Sequence, residues 1–73
     1  MNDSPDSPVA LEDAAATVHL AEQAVRAARR QLSMAIVAAY QTGEPVASIA
    51  ARAGKEPYQV RNLLDAAGLR ARR

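Results

Sequence analysis

Residues 45–64 read PVASIAARAGKEPYQVRNLL, and the organisation of the whole chain follows from this stretch. Two short runs of helix-forming residues flank Gly54-Lys55-Glu56, and each is opened by a Glu-Pro dipeptide, Glu44-Pro45 and Glu56-Pro57. Proline presets φ for a first helical turn and pushes the preceding residue out of the α region, so each Glu is expected at a capping position. Gly54 suits a turn that a side chain would penalise, and Gly68 ends the second run. Ile49 and Ala53 are expected on the inner face of the first helix, with Ala50 as the small residue where two helices cross closely. In the second helix Val60, Leu63, Leu64 and Ala67 stand at i, i+3, i+4 and i+7 and form one apolar face. Helix, a turn of three or four residues with glycine, and helix is the helix-turn-helix arrangement.

Upstream, no Gly or Pro interrupts Leu11 to Thr42, and Ala, Gln, Arg, Glu and Leu dominate that segment. All are strong helix formers. Ser7 offers an N-cap, Pro8 a first-turn proline, Glu12 and Asp13 favourable charge near the helix start, and Gly43 a left-handed stop. Thirty-two residues at about 1.5 Å rise make a rod of roughly 48 Å, too long for the remaining residues to cover. Nothing shows the period-2 alternation of a strand. The expected fold is therefore all-α: a leader over 1–7, a long helix over 8–42, a helix-turn-helix pair over 43–68 and a basic tail over 69–73.

Composition points the same way. The chain holds 73 residues, of which 18 are Ala and 16 are large aliphatics, with Tyr40 and Tyr58 as its aromatics. A chain this short hides only about 60% of its unfolded surface, so a partner chain is expected to help. Zero cysteines exclude a disulfide scaffold, a thiolate metal site and a cysteine nucleophile. His19 is the one histidine, without companions for a metal site or a catalytic set, so neither metal, cofactor nor enzymatic activity is expected. The first residues are acidic and prolyl rather than signal-like, and the most apolar run, Met34–Ala39, is six residues where about 20 would cross a membrane. A cytoplasmic protein is expected.

The net charge of +1 conceals an uneven distribution. Residues 1–13 carry −4, residues 14–45 carry +1 and residues 46–73 carry +4. A basic C-terminal part suggests an anionic partner, most simply the phosphates of double-stranded DNA.

Residues 45–64, with the end of the long helix as support, resemble the trihelical helix-turn-helix DNA-binding domains, such as the small C-terminal domains of serine recombinases and many short bacterial regulators. Lys55 departs from the apolar turn residue usual there, and Glu56 from the usual Ser or Thr cap. The resemblance implies that residues 57–67 form a recognition helix lying in the major groove. Asn62 and Arg61 are its foremost candidate readers of bases or backbone, flanked by Tyr58 and Gln59. Arg61 against Glu56 and Asp65 leaves this helix and its cap at −1, so phosphate attraction is assigned to Arg52, Lys55, Arg70, Arg72 and Arg73. A transcriptional regulator reading two half-sites roughly 34 Å apart, or a multiple of that, is the implied function. A protein-interaction module built on the long helix, or a sequence-indifferent chromosome-coating protein, stands as the alternative.

The long helix carries a seam for assembly. Leu11, Val18, Val25, Leu32 and Ala39 recur every seven residues, and Ala14, Ala21, Ala28 and Ala35 follow three positions after the first four. Leu32, Ile36 and Tyr40 are expected to pack on the helix-turn-helix, leaving Leu11 to Ala28 for a second copy. An antiparallel pair centred near Val25 would set Glu22 beside Arg29 of its mate.

Overall fold

The computed structural model describes residues 8–69. Three helices follow one another, α1 over Pro8–Gln41, α2 over Val46–Ala53 and α3 over Pro57–Ala66. Among the described residues there is no strand, and the all-α expectation of a long helix followed by two short ones is met. The boundaries move by one residue: α1 ends at Gln41 rather than Thr42, and α3 at Ala66 rather than Ala67. Leader residues 1–7 and tail residues Arg70, Arg72 and Arg73 lie outside the described part.

All three helices end in the same way, at a glycine with positive φ. At the α2 terminus, Gly54 (φ 69°) turns the chain so that the Lys55 N–H donates back to the Ala50 carbonyl at 2.9 Å. The matching bonds at the other ends run from Glu44 N–H to Ala39 at 3.2 Å and from Leu69 N–H to Leu64 at 2.8 Å. These six-to-one bonds satisfy carbonyls that a helix end would otherwise leave open. Only Gly54-Lys55-Glu56 separates α2 from α3, the short turn anticipated between them.

The two helix starts differ, which corrects one expectation. Glu56 is the residue capping α3, whereas Pro45 occupies that place before α2 and Glu44 stands one residue outside. The Glu44 carboxylate bonds to α2 side chains instead.

The core sits at one end of the molecule. Ile36 from α1, Ile49 and Ala50 from α2, and Val60 and Leu64 from α3 are buried, with Val37, Ala39, Tyr40, Val46, Ala53, Leu63 and Leu69 packed around them. Fully burying a large aliphatic stabilises by about 1.5–3 kcal/mol, so four of these five residues dominate the cohesion of the end domain. Ala67 departs from the expected apolar face; it follows the last turn of α3 and is exposed. A cleft between α1 and α2 is lined by Leu32, Ala35, Ile36 and Ala39 on one side and Ile49, Arg52 and Ala53 on the other. Every residue from Leu11 to Arg26 is exposed. The radius of gyration, 18.7 Å, compares with about 11 Å for a compact chain of this length, so the molecule is a small head on a long rod.

Candidate nucleic-acid interface

The outward face of α3 follows from its inward one. With Val60 and Leu64 fully buried and Leu63 partly so, the 100° step of the helix turns Tyr58, Arg61, Asn62 and Asp65 to solvent, and all four are exposed. Tyr58 retains 56% exposure despite its size. Lys55, in the turn ahead of the helix, is half-buried. Gln59 is exposed as well, but it also holds the helix start, because its side-chain carbonyl accepts the Glu56 N–H at 2.8 Å. That bond is the returning half of a capping box, and it fixes how α3 leaves the turn. Gln59 therefore offers an approaching ligand its amide NH2 while its oxygen stays with the backbone.

Arg52 is also occupied. Its Nε donates to Glu44 Oε2 at 3.0 Å and its Nη2 to Oε1 at 2.9 Å, a two-pronged bond, while Ser48 Oγ donates to Oε2 at 2.7 Å. The Ser48 bond, and after it the Arg52 bond, hold the Glu44 carboxyl below its ordinary pKa. Both prongs of the guanidinium face the same carboxylate, so Arg52 presents a phosphate with a paired rather than a free charge. Sequence reasoning overlooked this ladder. Its signal was present: Glu44, Ser48 and Arg52 recur at intervals of four, so that Ser48 and Arg52 share one face of α2 and Glu44 precedes them just ahead of the helix.

The assembly candidates Leu11, Ala14, Val18, Ala21, Val25 and Ala28 are all exposed, with Leu32 at the margin of the head and lining the cleft against α2. His19 Nδ1 lies 3.7 Å from Glu22 Oε1 in an exposed pair. Among the described residues no group of three or more His, Cys, Asp or Glu side chains could hold a metal ion, and no helix is long and apolar enough to cross a membrane.

Between α1 and α3 a second groove is lined by Ser33, Met34, Val37 and Ala38 on one side and Leu63, Ala66 and Ala67 on the other, away from the exposed polar face of α3. The chain shows no significant similarity to any described protein family, curated protein or solved structure.

Proposed function

We propose that this chain is a non-catalytic, cytoplasmic DNA-binding protein that inserts α3 into the major groove of a duplex. One observation carries the reading: α2 and α3, joined by three residues, are clamped on the last turns of α1 so that α3 turns Tyr58, Arg61 and Asn62 outward from a buried Val60–Leu64 face. Asn pairs in a two-pronged manner with adenine, and Arg with guanine or a phosphate. In this reading Asn62 reads a base, Arg61 reads a base or holds the backbone, and Tyr58 donates to a phosphate. With Arg52 paired to Glu44, attraction for the backbone falls to Lys55, Arg61 and the tail residues Arg70, Arg72 and Arg73.

Titrating fluorescent duplexes at several salt concentrations tests this. Binding should weaken linearly on logarithmic axes as counterions are released. Asn62→Ala should cost about 1–3 kcal/mol on the preferred sequence and much less on random duplex. A chain that binds no duplex even at low salt removes the proposal.

A further inference from the structure

The rod contains a contradiction that the head does not. Over its first five turns α1 exposes Leu11 by 76%, Val18 by 53% and Val25 by 47%, all in one seven-residue repeat with alanines between them. The repeat continues into Leu32, still 36% exposed at the margin of the head, and Ala39, half-buried, and there both residues line the cleft against α2. One stripe thus has an intramolecular partner below Leu32 and none above it.

We infer that a second copy of the chain covers the upper stripe, running antiparallel, with Val18 beside the second copy's Ala21, Ala14 beside its Val25 and Leu11 beside its Ala28. Three features of the chain lead to that direction and register. The first is size. Reversing a helix brings the larger core position of the repeat against the smaller one of its mate, so each large aliphatic meets an alanine and every layer has similar volume. A parallel pair stacks Val on Val and Ala on Ala, alternating thick and thin layers that straight helices cannot both close.

The second is space. In this register residues 8–31 of the two rods overlap, about 36 Å of contact, and the second copy's Pro8 comes level with Gln31. Overlap thus stops one residue short of Leu32, where the stripe enters the cleft against α2. Sliding the pair one heptad further sets the second copy's Leu11 beside Ala35, in the cleft that Ile49, Arg52 and Ala53 of α2 face. The pairing centred near Val25 goes further still, driving about three turns of the second copy through the head, so the Glu22–Arg29 contact is replaced. Sliding the other way leaves Val25 and Ala28 beyond the end of the second helix.

The third is charge. The second copy's Glu12 comes level with Ala27, between Arg26 and Arg29, and its Asp13 lies one residue away. A parallel pair would instead place Arg26, Arg29 and Arg30 against their own copies. Exposed ion pairs contribute only about 0–1 kcal/mol each, so these charges select direction while the stripe supplies the association.

The 73-residue chain has no cysteine of its own, so introduced thiols report the register without background. Sedimentation equilibrium should give twice the 7.7 kDa chain mass, falling to the single-chain mass in Val18→Lys and in Ala21→Lys. Both variants should keep the cooperative thermal unfolding of the head. Under mild oxidation a mixture of Leu11→Cys and Ala28→Cys chains should cross-link, while neither variant cross-links alone. A wild-type chain sedimenting at single-chain mass overturns the pairing, Leu11→Cys linking to itself overturns the direction, and Val25→Cys linking to Ala28→Cys overturns the register. None of these readouts involves nucleic acid, so they stand or fall separately from the DNA-binding reading.

Discussion

The head and the rod are both helical and both rich in alanine, yet they hold their shape for opposite reasons. In the head, α2 has eight residues and α3 ten, lengths at which an isolated helix does not persist in water. They endure because Ile36, Ile49, Val60 and Leu64 lock them against each other. The upper part of α1 draws on residue type instead: it is long, made of strong helix formers, and within one chain no other described element packs on it from Leu11 to Arg26. Tertiary packing makes helices of one region, and local preference makes a helix of the other.

The largest test of that difference is truncation of a leucine in each region. Leu64→Ala removes a side chain with no exposed surface and should destabilise the head by roughly 2–5 kcal/mol, read from denaturant midpoints. Leu20→Ala, off the stripe on the rod, should stay within about 0.5 kcal/mol of wild type. Equal effects would dissolve the distinction.

A smaller effect is expected at the turn. A Cβ at Gly54 would meet nothing within 4 Å, so the left-handed backbone alone penalises a side chain there. Gly54→Ala should therefore cost about 1–2 kcal/mol of head stability, without the cavity that Leu64→Ala leaves. A neutral result would mean that the turn adopts another conformation.

The smallest effect concerns pH. Because Ser48 and Arg52 hold the folded Glu44 pKa below its unfolded value, the ladder stabilises the head above the ordinary carboxylate range. That contribution disappears as the pH falls through the lowered folded value. Glu44→Gln should flatten the acid side of the stability profile and leave the rod's helical signal unchanged. A profile that keeps its acid slope in the variant would assign the slope to other carboxylates.

Much of this was legible in the sequence because glycine and proline punctuate it. Pro8, Gly43, Pro45, Gly54, Pro57 and Gly68 set the element boundaries to within one residue, and the 3.6-residue period placed Val60 and Leu64 inside. The candidate face of α3 was legible for the same reason, since a known buried face implies an exposed one. What periodicity could not reveal were contacts chosen among competing polar partners. Glu44 could have capped α2, but its carboxylate reaches Ser48 and Arg52 on the following turns. Gln59 looked like a free reader of bases and proves to be bonded to the backbone of its own cap. The seam and the place where it meets the head were both visible in the repeat, since Ile36 and Tyr40 join the core and Leu32 lines the cleft at its margin as expected.

Because head and rod are joined in series, with the core beginning only at Ile36, the length of the rod is an independent variable. A heptad inserted between Ala21 and Leu32 would lengthen it by about 10.5 Å and rotate the far end by about 20° without altering a contact in the head. The rod is in this sense a ruler. In the antiparallel pair it sets the two Ile36 positions about 50 Å apart along the axis, beyond the 34–36 Å of one turn of duplex.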